Sequence, residues 1–200
     1  MIRGIILAAG QSTRMGRPKA GLLLTDGGPT FAAAIVGTLQ AAGLAEVIVV
    51  AGAHPREVAE AVRGLAGVQV VQNPQWEAGQ LSSLVAGLDA VDTPELDAVL
   101  VTLVDIPLVR PDTVEALLEA WRTTRAPIVR PAIGARHGHP VIFDRVTFDD
   151  LRAAPRAMGA KSVIAAWSSH ILNLPSDDQG TLLDVDTPHE YDALRLDGAR

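Results

Sequence analysis

Short continuous apolar runs alternate with longer stretches of helical periodicity from the N-terminus to Arg125. Ile5-Ile6-Leu7, Val47-Ile48-Val49-Val50, Val68-Gln69-Val70-Val71 and Ala98-Val99-Leu100-Val101-Thr102-Leu103 predict four strands. These runs lack the apolar–polar alternation of a sheet with one wet face; they fit strands covered on both faces, as in a parallel sheet. Between them, Thr30 to Ala42 places Phe31, Ala34, Ile35, Thr38, Leu39 and Ala42 on one helical face and stops at Gly43. Pro55 to Leu65 opens with proline in a first turn, where its missing N–H costs nothing. Ser82 to Ala90 and Pro111 to Trp121 complete the rhythm. Strand–helix–strand repetition implies right-handed crossovers and an open sheet flanked by helices, a Rossmann-like α/β fold with a mostly parallel sheet.

Beyond Arg125 the rhythm changes. Ile128-Val129, Val141-Ile142-Phe143 and His170-Ile171-Leu172-Asn173-Leu174 predict further strands, with short helices near Phe148 to Arg152 and Lys161 to Trp167. Thr187 to Leu194 predicts a last helix, and Thr187-Pro188-His189-Glu190 has the spacing of a capping box. No linker, repeat or low-complexity block interrupts the chain, so a single domain over residues 1–200 is expected.

Composition narrows the function classes. A hydrophobic fraction of 48% and a charged fraction of 20% are those of a globular chain. With only 4% aromatic residues, the core has to be built from Ala, Val, Leu and Ile. There is no cysteine, which excludes disulfides, thiolate metal sites and cysteine nucleophiles and fits a reducing, cytoplasmic setting. The net charge of -6, without any Lys/Arg run, argues against nucleic acid as a partner. Arg3 followed by Gly4-Ile5-Ile6-Leu7-Ala8-Ala9 is too short for a signal sequence. No apolar stretch of about eighteen residues exists, so no transmembrane helix and no membrane partner are expected.

The richest chemistry follows the first strand. Leu7-Ala8-Ala9-Gly10-Gln11-Ser12-Thr13-Arg14-Met15-Gly16-Arg17-Pro18-Lys19 leaves the carboxyl end of that strand, where open α/β sheets bind ligands. Gly10 and Gly16 allow close approach of backbone to a phosphate, exposed N–H groups can cradle oxyanions, and Arg14 and Lys19 bring positive charge. A Walker A loop is excluded by Gly16-Arg17-Pro18, and no G-x-G-x-x-G is present. The alternative is a plain surface loop with scattered cations.

Three other segments join it. Asp105, in Val104-Asp105-Ile106-Pro107 after the fourth strand, would face the same sheet edge and is either a hard oxygen ligand for Mg²⁺ or a turn residue. Asp184 and Asp186 alternate on an extended segment, and Asp186 is placed either for metal or to cap the last helix. Gly79 and the Ser82-Ser83 pair open a helix after Asn73-Pro74-Gln75-Trp76, so free N–H groups and hydroxyls can meet a base or phosphate, or Ser82 simply caps. His139, before Pro140, can turn its ring into a cleft to bind substrate or can pack; with His137 alone it makes a poor metal site.

The string Leu-Ala-Ala-Gly-x-Ser-x-Arg-Met-Gly-x-Pro-Lys resembles the signature of the MobA-like nucleotidyltransferases, and Gly138-His139-Pro140 is similar to the cytidylyltransferase branch that acts on molybdenum cofactor. The likeness runs from Gly4 to about Tyr191, with departures at Gly21, Gln80-Leu81 and Val85. It implies a nucleotide-diphospho-sugar transferase (GT-A-like) fold and a Mg²⁺-dependent nucleotidyltransferase. Leu7, Ala8, Ala9, Gly10, Ser12, Arg14, Gly16, Lys19, Gly79, Ser82 and Ser83 would bind the nucleotide, CTP being favoured. Arg14 and Lys19 would be catalytic, Asp105 and Asp186 would hold the metal, and His139 would touch a phosphorylated pterin acceptor. A molybdoenzyme or its chaperone would then be a partner. The alternatives are guanylyl transfer, a different phosphorylated acceptor, or a non-catalytic nucleotide-binding module.

Overall fold

The structure is a computed structural model and describes residues 1–197; residues 198–200 of the expected domain lie outside the described residues. Eight strands form one mixed sheet: β1 (Ile2–Ala8), β2 (Val47–Ala51), β3 (Val68–Gln72), β4 (Ala98–Leu103), β5 (Ile128–Ile133), β6 (Arg136–His137), β7 (Val141–Asp144) and β8 (Ile171–Pro175). The helices are α1 (Phe31–Ala41), α2 (Pro55–Ala61), α3 (Gln80–Val91), α4 (Pro111–Thr124), α5 (Phe148–Ala153), α6 (Ala160–Ala166) and α7 (Pro188–Asp197).

β1 lies between β2 and β4 and is parallel to both, while β3 extends the sheet beyond β2. The chain therefore travels outward on one side of β1 and then crosses to the other, which puts a topological switch point between β1 and β4. β7 is antiparallel to its neighbours β4 and β5. β8 runs parallel along β5 from Ile128 to Ala132 and occupies one whole edge of it, so β6 and β7 share the other edge. Gly138, His139 and Pro140 fill the break between β6 and β7.

Both faces of the sheet are buried, which explains the unbroken apolar runs. Successive side chains point to opposite faces: Ile6, Val49 and Leu100 pack with Ile35, Leu39, Val58, Leu117 and Trp121 of α1, α2 and α4. Ile5, Val50 and Val99 pack with Leu84, Leu88, Phe148 and Val163 of α3, α5 and α6. Gly87 lets α3 approach closely, because a Cβ there would lie 2.8 Å from both Ile5 Cγ2 and Val50 Cγ2. A third, smaller cluster of Met15, Leu22, Phe31, Val185 and Tyr191 ties the loop after β1 to the start of α1 and to α7.

The mostly parallel, helix-flanked sheet is the architecture expected. Several element ends shift by a few residues, and two differences have a clear local cause. α2 ends at Ala61 rather than Leu65, because the chain turns through Gly64 at a φ of 78°. β6 was not anticipated: Arg136 and His137 are exposed and carry no apolar period, and only the two-residue reversal at Gly134-Ala135 brings them onto β5. The capping box is present: Thr187 Oγ1 accepts from Glu190 N at 3.3 Å, and Glu190 Oε2 accepts from Thr187 N at 2.8 Å.

α4 is fixed to β7 by a buried polar contact, Trp121 Nε1 donating to Asp144 Oδ2 at 2.9 Å. Trp121→Phe leaves that oxygen without its donor and is expected to cost about 1–3 kcal/mol, read from the midpoint of urea denaturation.

Candidate active site

The switch point holds a cleft of about 400 Å³, lined by the loop after β1, the end of β4, the entrance of α3 and Asp186. Two backbone bonds define its floor. Val104 N donates to Leu7 O at 3.1 Å, which keeps the ends of β1 and β4 together, and Val185 N donates to Asp105 O at 2.8 Å. The second bond brings Asp186, far away in sequence, beside Asp105.

The loop is shaped by two left-handed residues, Ser12 (φ 54°) and Gly16 (φ 73°). Ser12 organises the return of the chain: its carbonyl accepts from Gly16 N at 3.0 Å and its hydroxyl from Lys19 N at 3.3 Å. Among the described residues, no protein acceptor meets the N–H groups of Gly10 to Arg14. Unpartnered amides of this kind are the donors an oxyanion needs.

Positive and negative groups meet at the centre. Lys19 is buried, and its Nζ bonds Asp105 Oδ2 at 3.0 Å and also Asp186 Oδ1. Arg14, mostly exposed, bonds the other Asp186 oxygen at 2.8 Å. Burial alone would raise the Asp186 carboxyl, but the hydrogen bond and charge of Lys19, helped by Arg14, outweigh it and hold its pKa below the ordinary carboxylate value. Asp105 Oδ1 is enclosed and has no hydrogen-bond partner. A bare carboxylate oxygen beside a second carboxylate is a donor set suited to a hard divalent cation. Among the described residues no group of three or more His, Asp or Glu side chains stands ready to hold a metal, so a cation here needs oxygens from elsewhere, such as phosphates.

Leu7, Ala8, Ala9, Gly10, Ser12, Arg14, Lys19, Gly79, Ser83, Asp105 and Asp186 all line this cleft. Gly16 and Ser82 do not. Gly16 makes the turn that returns the loop, and the Ser82 hydroxyl is spent on Gln75 O and Gly79 O. Asp186 does not cap α7; Thr187 does, which leaves the Asp186 carboxylate for Lys19 and Arg14. Asp184 does not line this cleft; it borders a neighbouring pocket that also touches Asp105.

Asn73, His54 and Trp76 were not read as site residues. Asn73 is buried and organises the α3 side of the cleft: Nδ2 donates to Ser82 Oγ at 2.9 Å and Ser83 Oγ at 3.0 Å, and Oδ1 accepts from Gln75 N at 2.9 Å. Its place two residues before Gln75 is an Asx-turn signal that sequence alone offered. His54 Nε2 lies 3.2 Å from Gln11 O and, with Trp76, closes the far wall of the cleft.

A second cavity of about 500 Å³ adjoins the first, sharing Leu7, Gln80 and Leu103 with it. Its floor is apolar, from Val141, Phe143 and Ile164, and its rim carries Arg130, His137, Arg156 and Lys161; no Asp or Glu lines it. Arg130 is half-buried, with Nε bonded to Asn173 Oδ1 at 2.8 Å, and burial lowers its pKa. His139 borders this cavity. Its ring is half-buried, with Nδ1 3.5 Å from Val101 O, and desolvation lowers its pKa further than that contact and the Asp105 charge raise it, so the ring is neutral near pH 7. Gly138 permits this packing, because a Cβ there would stand 2.2 Å from Thr181 O.

An open α/β sheet with an anion-ready loop and paired carboxylates at its switch point defines a nucleotide-handling protein of the doubly wound class. The chain belongs to the MobA-like NTP transferase domain family, which matches residues 4–171. It is a nucleotidyltransferase of that family. It is 24% identical over 187 residues to the molybdenum cofactor cytidylyltransferase of Escherichia coli K12, covering 94% of this chain and 92% of that one. It is 26% identical over 192 residues to a probable molybdenum cofactor guanylyltransferase of Mycobacterium ulcerans, covering 96% and 92%. Among solved structures it resembles Rv0371c of Mycobacterium tuberculosis in complex with manganese, at a TM-score of 0.73 and 28% identity over 96% of each chain. Among the described residues no helix is long and apolar enough to cross a membrane.

The Asn73 network makes a direct prediction. Asn73→Ala strands Gln75 N and removes the donor to two serine hydroxyl oxygens, and should destabilise the fold by about 1–3 kcal/mol. Thermal unfolding measures that loss, and isothermal titration with nucleoside triphosphate should show weaker binding as the α3 entrance loosens.

Proposed function

We propose that the chain transfers CMP from CTP to the terminal phosphate of a molybdopterin carrying molybdenum, releasing pyrophosphate. The observation that carries this reading is the adjacency of two unlike cavities. One has an amide-rich loop, two cations and two carboxylates, suited to a triphosphate; the other has an apolar floor and a cationic, acid-free rim, suited to a phosphorylated ring compound.

In this reading the amides of Gly10 to Arg14, with Arg14 and Lys19, hold the triphosphate, and the entrance of α3 at Gly79 and Ser83 meets the rest of the nucleotide. The bare Asp105 Oδ1 and the neighbouring Asp186 fit Mg²⁺, which when bound supplies charge neutralisation at the phosphates. His139, neutral and half-buried, borders the acceptor cavity, and Arg130, Arg156 and Lys161 hold the acceptor phosphate beside the α-phosphate. The acceptor oxygen attacks the α-phosphorus in line, a new P–O bond forms, and the bond to the pyrophosphate leaving group breaks. The attacking phosphate is already anionic, so no proton has to be removed, and catalysis is positioning and charge stabilisation. A molybdoenzyme or its chaperone then takes the product.

Guanylyl transfer is the second reading. It is supported by the Mycobacterium ulcerans relative, whose identity to this chain is no lower than that of the cytidylyltransferase. Cytidylyl transfer rests on Gly138-His139-Pro140.

Pyrophosphate release from CTP, GTP, ATP and UTP, each with molybdenum cofactor and Mg²⁺, decides between them; CTP is expected to give the fastest release. No release with any nucleotide would leave a binding module in place of an enzyme. Arg14→Ala and Asp105→Ala should each reduce turnover by about 10²-fold or more while circular dichroism stays that of the wild type, and full activity in either would sink the mechanism. Arg130→Ala should raise KM for the acceptor and leave KM for the nucleotide unchanged, since the two ligands sit in different cavities.

A further inference from the structure

Lys19 carries its charge into an enclosed place. Its side chain is 9% exposed, and its Nζ lies between Asp105 Oδ2 and Asp186 Oδ1. Arg14 takes the remaining oxygen of Asp186 at 2.8 Å. The carboxylate pair is thus already neutralised by two cations of the chain itself, and only Asp105 Oδ1 is bare. Both cations come from the loop that lines the triphosphate cleft.

A divalent cation that bridged the two carboxylates would have to displace the Lys19 ammonium. An ammonium expelled from its partners in so enclosed a place is costly unless another anion receives it. A triphosphate in the same cleft is that anion. Lysine suits the exchange, because a compact charge on a flexible four-carbon stem moves between partners without a fixed geometry. The loop backbone does not have to move with it, since Lys19 N stays on Ser12 Oγ.

We propose that Lys19, with Arg14, is a resident counter-ion for the carboxylate pair, so that a divalent cation binds tightly only together with a polyphosphate that draws both side chains off Asp105 and Asp186. Lys19 is on this account a positioning residue as well as a phosphate ligand: it keeps two mutually repelling carboxylates converged until the nucleotide arrives. Coupling of this kind is reciprocal, so metal strengthens nucleotide binding by the factor with which nucleotide strengthens metal binding. The proposal rests on the reading that Asp105 and Asp186 hold a divalent metal.

The test is Mn²⁺ binding, followed by electron paramagnetic resonance of the free ion, in the absence of any reaction. In the wild-type protein Mn²⁺ alone should bind at least about tenfold more weakly than with a non-hydrolysable CTP analogue, after correction for the ion bound by the analogue in solution. The analogue alone, in chelator, should still bind by calorimetry. Lys19→Gln should bind Mn²⁺ alone more tightly than the wild type, with the advantage from the analogue reduced, and the added Asp105→Asn change should abolish that gain. Equal Mn²⁺ affinity with and without the analogue in the wild type would overturn the coupling while leaving the metal reading intact, and this comparison needs no variant to fold. Mn²⁺ binding by Lys19→Gln no tighter than by the wild type would overturn it as well. No Mn²⁺ bound by the wild type even with the analogue would overturn the metal reading itself, and the coupling with it.

Discussion

Burial of the sheet on both faces governs everything else in this molecule. β1, at the centre, has helices above and below and parallel strands on either side, so only its last residues, Leu7 and Ala8, reach the cleft. A parallel strand hands its chain to a loop at the carboxyl edge, and that edge is where open α/β sheets bind ligands. The loop after β1, the turn after β4 and the entrance of α3 all open there because the crossovers reverse direction between β1 and β4.

That edge concentrates charge in a protein whose net charge is -6. Two carboxylates are brought together by a single backbone bond, Val185 N to Asp105 O, and their repulsion is relieved by Lys19 and Arg14. The arrangement is balanced rather than inert. Its ammonium is enclosed, one carboxylate oxygen is bare, and among the described residues the amides of Gly10 to Arg14 have no protein partner, so each of these groups is left with unmet bonding capacity. The same logic separates the two cavities. One mixes both signs of charge, while the other is cationic on an apolar floor, and Leu7, Gln80 and Leu103 form the wall they share.

Breaking the parallel pattern in the second half serves the site. β7 runs antiparallel between β4 and β5, and the hairpin that feeds it is interrupted at Gly138, His139 and Pro140. The interruption carries His139 to the edge of the second cavity, held by Thr181 O, which accepts from His139 N at 3.0 Å. The strands before Arg125 bring the groups around the first cleft. Those after it add Arg130, His137, Val141 and Phe143 to the second, beside Leu7, Val101 and Leu103 of β1 and β4.

Much of this was legible from residue order. The four early strands, the cap at Thr187 and the loop from Ala8 to Lys19 follow from local signals: apolar period, a side-chain oxygen at a helix start, and glycine with cations after a strand. Most residues expected at the nucleotide cleft do line it, because a loop leaving a central parallel strand has one place to go. Long-range pairings were not legible. Nothing local says that Asp186 spends its carboxylate on Lys19, 167 positions away, and leaves the cap to Thr187. Nor does it say that the Ser82 hydroxyl goes to Gln75 O, that Asn73 holds the α3 entrance, or that Arg130, Arg156 and Lys161 meet around one acid-free cavity. Sequence determined the elements and the chemistry available at their ends, since those depend on neighbours in the chain; only tertiary structure decided which charges face each other, since that depends on strand order and on single backbone bonds between distant segments.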